Sequence, residues 1–257
     1  MFQVSKRTFT IGAVAAAMLA FAGATQAADI TLKLGHLANE ENSWHKGALK
    51  FAEEVKSLTG GKVEVKVFAN DSLGKEMDLI NGMQLGTADM TITGESLQNW
   101  APKAALLAIP YAFKDMAEMD HAVNGPLGDD IKKEIIERAK VIPLAYFARG
   151  PRELTSNKPI KSIDDVKGLK MRVPNVPVFM QFWRGVGAQP TPMAFGEVFT
   201  SLQTGVIDGA ENNPPSYFTA NHYNTPAKFY SQPTPLIIPE IREMSKVAWD
   251  KLSPADQ

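Results

Sequence analysis

The residue whose type and place point most directly to chemistry is Arg172. From Leu169 to Val173 the chain alternates Leu169, Met171 and Val173 with Lys170 and Arg172, the period of a strand with one apolar face. Arg172 therefore projects from the opposite face, and Pro174 ends the strand directly behind it. A guanidinium is a planar fork of donors that meets a carboxylate with two parallel bonds, which an ammonium cannot do. A solvated surface arginine is the alternative these residues leave open. Glu76 and Glu95 stand near strand-to-helix loops. An ionised carboxylate accepts hydrogen bonds and donates none, so the pair suits hydroxyl groups on a ligand whose own charge is held elsewhere. Otherwise Glu76 is a favourable charge at a helix N-terminus and Glu95 a solvated loop residue. His36, with Asn39 close behind, is a further hydroxyl partner or a structurally satisfied histidine. Such a set favours a polyhydroxy acid over a plain dicarboxylate.

Catalytic chemistry finds no comparable set. The chain has no cysteine, which removes disulfides, thiolate metal sites and a thiol nucleophile. No Gly-x-Ser-x-Gly elbow and no His-Glu-x-x-His helix occurs, which weakens the main rival reading, a secreted hydrolase. Asp115, Glu118, Asp120 and His121 lie close together, but their spacing fits a solvated helix face better than a metal site. No metal and no cofactor is expected.

The N-terminus sets the compartment. Lys6 and Arg7 precede an apolar run from Thr10 to Ala22 and then small residues, the order of a secretory leader over residues 1–27; a membrane-spanning helix needs about 20 apolar residues. Export to the periplasm is expected. Removing Lys6 and Arg7 leaves 25 basic against 28 acidic residues, a net charge of −3, and nucleic acid is an unsuitable partner for such a chain.

Around these residues the elements alternate. Ile30, Leu32 and Leu34, then Val63, Val65 and Val67, share faces of two strands. Trp44, Ala48, Phe51, Ala52, Val55 and Leu58 recur at helical spacing between them, with Asn42 or Ser43 to cap and Gly60 to stop. A helix over 74–85 and a strand over 88–93 complete a β-α-β-α-β opening, and ligands of such sheets sit outside the strands' carboxyl ends. Val141 to Phe147 is another strand, and Gly150-Pro151 reads as a crossing to a second α/β lobe. That lobe contains a strand at 169–173, helices at 178–186 and 196–204 and a strand at 206–210. Asn212-Asn213-Pro214-Pro215 continues neither helix nor strand and reads as a second crossing. A helix over 241–252 is expected to end the chain.

The string Lys161-Ser162-Ile163-Asp164-Asp165-Val166-Lys167-Gly168-Leu169-Lys170-Met171-Arg172-Val173-Pro174 resembles the solute receptors of TRAP transporters, the tripartite ATP-independent periplasmic systems. Leu73 to Met77, Gly187 to Met193 and Leu202 to Asn213 match the same family in the same order. The likeness runs from Ile30 to Asp256; family members usually continue into a long helix bracing both lobes, which this sequence does not reach. The resemblance implies a two-lobed α/β periplasmic binding protein fold, each lobe a mainly parallel sheet flanked by helices, with a hinged cleft between them. The expected lobes are residues 28–149 plus 239–257, and 150–238. It implies that Arg172 binds the ligand carboxylate, that Arg152 is a second cleft arginine with Arg149 its competitor, that Asn212 assists with Asn213 as the other assignment, and that Phe195 is an aromatic wall. The expected partners are a small organic acid and TRAP membrane subunits, and the receptor is expected to be a monomer that binds without turnover.

Overall fold

The computed structural model describes residues 28–257, with side chains at all but 148 and 234–236; the expected leader lies outside them. Ile30–Gly35 forms β1 and Val63–Phe68 forms β2, paired in parallel so that Leu32 meets Val65 and Leu34 meets Val67. Helix α1 (Ser43–Leu58) crosses between them, capped by Asn42, whose Oδ1 accepts from the Trp44 N–H at 3.0 Å. Helix α2 (Glu76–Leu85) stops at Gly86, in the left-handed conformation at φ 76°. Strand β3 (Met90–Thr93) then joins β1 in parallel. The opening is thus the β-α-β-α-β unit that the hydrophobic periods imply.

Two 3-10 turns, Glu95–Asn99 and Pro102–Ala108, and helices α3 (Met116–Val123) and α4 (Pro126–Glu134) lead to β4 (Val141–Ser156). The second α/β unit follows: β5 (Lys170–Val173), α5 (Pro177–Gly185), β6 (Gln189–Pro192), α6 (Val198–Gln203), β7 (Gly209–Asn212) and α7 (Pro214–Thr219). Strand β8 (Phe229–Ser245) and the short α8 (Lys246–Trp249) end the described chain.

All eight strands form one sheet in the order β2-β1-β3-β8-β4-β7-β5-β6. Pairing is parallel inside each lobe, β1 with β2 and β3, and β5 with β6 and β7. The antiparallel pairs all involve β4 or β8, which run beside each other through both lobes. Their register shifts between Ala148 and Pro151, a bulge of the kind that bends a strand, at the Gly150-Pro151 step read as a crossing. Separate cores flank this ribbon: Leu32, Leu34, Val65 and Met90 with α1, Leu79, Ile80 and Met83 with α3 and α4, and Met171, Val173, Phe179 and Trp183 in the second lobe.

Two expectations need correction. The segment read as a helix from 241 to 252 is strand through Ser245 and helical only over Lys246–Trp249. Ile241, Met244 and Ala248 are buried at helix-like spacing, but β3 and β4 take β8 between them. A strand enclosed on both sides loses its apolar-polar alternation, and here it buries Glu240 and Glu243 too. Pro214 and Pro215 do not merely interrupt the chain; they start α7, because the first turn of a helix leaves their missing donors unneeded.

Candidate functional site

The middle strand of the second lobe's parallel trio, β5, sets Arg172 opposite buried Met171 and Val173. Its side chain is 5% exposed. Nε and one terminal nitrogen donate to the Met193 carbonyl at 3.2 and 2.9 Å, and the guanidinium lies 6.0 Å from the Phe195 ring centroid. Among the described residues its bonds go to a main-chain oxygen and none to a carboxylate. Burial, and next the charge of Arg152, lower its affinity for its proton, a penalty that a bound anion would relieve. Arg172 opens onto a cavity of about 350 Å³ whose walls include Glu76, Lys75, Ser96, Asn175 and Phe195.

Arg152 has a different surrounding. It is 1% exposed, and two of its nitrogens engage the Glu211 carboxylate, one at 2.8 Å to Oε1, while the Glu211 carbonyl accepts at 3.0 Å. A third nitrogen stands 3.7 Å from Glu95 Oε1, and the ring of Phe179 lies 5.3 Å away. Arg152 is behind the cavity wall. Arg149 resembles it: 2.6 Å from Glu240, 3.5 Å from Glu95, bonded to Asn212 Oδ1 at 3.2 Å and stacked 5.2 Å from Trp44. Asn212 is buried with these groups, whereas Asn213 is a helix cap, its Oδ1 accepting from the Ser216 N–H at 3.0 Å.

The carboxylates divide in the same way. Glu95 would be raised by burial, yet Arg152 and Arg149 beside it hold it below the ordinary carboxylate range. Glu76, which lines the cavity and accepts from the Thr93 hydroxyl, is raised by burial and then by Glu95. Glu240 is pushed up to about 8 by burial, against the pull of Arg149. His36 stands elsewhere. It is 1% exposed, its Nε2 lies 3.2 Å from His45 Nδ1, and burial followed by His45 lowers it to about 4. The structure brings together Arg172, Glu76 and Phe195 around the cavity, sets Arg152, Glu95 and Asn212 in the charged layer behind it, and leaves His36 in a histidine pair.

Contacts across the cleft were not foreseeable from sequence. Lys75 Nζ meets Glu197 Oε1 at 2.5 Å, Asn99 donates to the Asn175 carbonyl at 3.1 Å, Gln98 accepts from the Val178 N–H at 3.2 Å and Asn39 donates to the Thr219 carbonyl at 2.6 Å. The lobes are therefore in contact around the cavity, and the partners lie too far apart along the chain for any local pattern to pair them. The acidic stretch 115–121 belongs to α3, where Asp115 caps the helix through the Glu118 N–H at 2.9 Å. Among the described residues no group of three or more His, Asp or Glu is placed to hold a metal ion.

Residues 34–257 match the model of DctP, bacterial extracellular solute-binding protein, family 7. The chain belongs to this family. A solute-binding protein of Roseobacter denitrificans is 57% identical over 231 residues, covering 90% of this receptor and 71% of the relative. A crystal structure of a TRAP periplasmic solute-binding protein from the same species, with bound L-galactonate, shares 56% identity and superposes with a TM-score of 0.86 over 90% of this receptor and 77% of that chain. Another from a Sulfitobacter species, with bound β-D-galacturonate, is 36% identical with a TM-score of 0.85, covering 88% and 76%. The family is one of solute-binding receptors.

Proposed function

We propose that this receptor captures a sugar acid, an aldonate or a hexuronate, in the cleft between its lobes and delivers it to TRAP membrane subunits without altering it. The observation that carries the reading is Arg172, a buried guanidinium facing the cavity and bonded, among the described residues, only to a main-chain carbonyl. Such a group is one carboxylate short of a satisfied bidentate pair. Glu76 in the same wall can only accept or, when protonated, share a proton, which suits hydroxyls and disfavours a second carboxylate. The relatives with bound L-galactonate and galacturonate support the same class. Arg152 and Asn212 act through Glu95 and Arg149, Phe195 covers the ligand, and the lobes divide near Arg149 and Ile238, close to the register shift between β4 and β8. The receptor works in the periplasm as a monomer; no helix among its described residues is long and apolar enough to cross a membrane.

A thermal-shift screen of aldonates, hexuronates, keto acids and C4 dicarboxylates tests the reading. Ligand at about 100 times its dissociation constant adds about 2.7 kcal/mol, which raises the melting temperature of a chain of this size by roughly 5 to 10 °C. A sugar acid should give the largest shift. Succinate or malate shifting the melt more than every sugar acid would overturn it, and turnover of the ligand, followed by NMR, would show an enzyme instead.

A further inference from the structure

The cavity beside Arg172 does not end in a blank wall. A second cavity of about 290 Å³ adjoins it, and Leu37, Asp71 and Phe195 line both. Of these three, Asp71 alone carries a side chain able to accept a hydrogen bond. Arg172 lines the first cavity and not the second, so the junction at Asp71 marks the far side of the ligand space as seen from Arg172.

Asp71 is held there by its backbone. Asn70 and Asp71 are consecutive residues in the left-handed region, at φ 56° and 55°. Their N–H groups bond to the carbonyls of Ala38 at 2.9 Å and His36 at 3.2 Å, and Gly74 closes the turn on the Asp71 carbonyl at 2.9 Å. Two strained positions in a row persist only where the surroundings over-determine them, and such strain gathers at ligand clamps. Across the cleft stands Gly196, where a Cβ would lie 3.2 Å from Asp71 Oδ2, so any larger residue would crowd the carboxylate. The other oxygen, Oδ1, is buried and accepts no hydrogen bond among the described residues. Lys75, the nearby cation, is committed to Glu197 at 2.5 Å. Oδ2 forms no hydrogen bond among the described residues and faces Gly196 in the wall of the second cavity, so it is the acceptor that a ligand hydroxyl can reach, and an acceptor left without a donor is costly.

We propose that Asp71 reads the terminal hydroxyl of the bound acid, so that the closed cleft selects polyhydroxy acids whose chain spans from Arg172 to the junction of the two cavities. The inference rests on the sugar-acid reading and names the group that sets chain length within it. Sites built to hydrogen-bond a ligand hydroxyl reject the analogue that lacks it far more strongly than apolar pockets reject a missing methylene.

Calorimetry with L-galactonate and 6-deoxy-L-galactonate, which differ only in that hydroxyl, tests it on the whole chain and on two variants. Asp71→Asn and Asp71→Gly both tolerate a positive φ, and melting curves check that each is folded. The unaltered receptor should prefer L-galactonate by about tenfold or more. Asp71→Gly should bind the two acids within threefold of each other, mainly through weaker L-galactonate binding, with Asp71→Asn intermediate. A receptor that binds both acids equally, or a variant that keeps the full preference or binds L-galactonate more tightly, overturns the assignment while the sugar-acid reading stands. A receptor that binds neither, nor any other sugar acid, overturns both.

Discussion

Arg172 and Arg152 are both buried arginines near one cleft, yet they live in opposite electrostatic surroundings. Arg152 is enclosed by Glu211 and Glu95, so its charge is spent within the protein and its surroundings gain nothing from an added anion. Arg172 has a carbonyl and an aromatic ring, and Arg152 nearby makes its charge harder to hold. The contrast teaches that burial alone does not mark a ligand-binding arginine. The mark is burial next to open volume with the counter-charge missing.

The largest expected effect breaks the Arg172 side of this contrast. Arg172→Ala leaves the ligand carboxylate buried without a partner, at about 2 to 5 kcal/mol, so affinity should fall by roughly two to three orders of magnitude. The melting temperature without ligand should hold or rise, because an unpaired buried cation is removed. Arg172→Lys should recover only part of the loss, an ammonium being unable to form the fork. Calorimetry on the folded variants decides it; binding within threefold of the parent would take Arg172 out of the site.

The Arg152 side should break in stability. Arg152→Met strands the Glu211 carboxylate, which is fully buried, at about 3 to 5 kcal/mol, a fall of roughly 6 to 20 °C in melting temperature for a chain of this size. Pairing it with Glu211→Met should restore most of that. If Arg152→Met melts like the parent and loses only affinity, the two arginines have been assigned the wrong way round.

The smallest effect sharpens the contrast through pH. Glu240 rises from 4.5 to about 8 on burial, so its contribution is intact below pH 4.5 and is lost as pH climbs towards 8. His36 and His222 fall from 6.5 to about 4, each chiefly by burial, so their contribution is intact above pH 6.5 and is lost as pH falls towards 4. Burial raises Glu76, Glu243 and Asp71 as well, and these offset the histidines on the acid side, so the trend lies on the alkaline side: stability without ligand should fall as pH climbs from 6.5 towards 8. Urea unfolding across pH 5 to 8 measures this. Glu240→Gln should make the alkaline fall shallower, Glu243 still contributing to it; an unchanged alkaline fall would mean that Glu240 is ionised in the fold.

Much of this was legible in the residues and some could not be. The alternation around Arg172 placed its side chain opposite the core, and the periods over residues 30–93 gave their elements. Arg152 with Glu211 was beyond reach, because the partners stand 59 residues apart and meet only when β4 pairs with β7. Strand β8 was read as helix from residue 241 because a strand covered on both faces, as the burial of Glu240, Ile241, Glu243 and Met244 shows β8 to be, has no alternation. His36 looked like a cleft residue by ending β1, but nothing local announces that His45, one turn into α1, would face it. Asp71 left no mark at all, since only the folded chain brings its carboxylate to face Gly196 in the other lobe.

The position of β8 in the sheet also dictates an order of assembly. The second lobe's β4, β7, β5 and β6 pair among themselves without it, using chain that ends at Asn212. The first lobe's β1, β2 and β3 likewise pair among themselves, but the free edges of β3 and of β4 are both closed by β8, and Ser245 Oγ ties back to the Met83 carbonyl across 162 residues. Loops of that length close slowly, and until they do β3 presents an unpaired edge open to other chains. Both halves of the molecule are completed by the same late strand, and the half that a ribosome makes first waits longest for it.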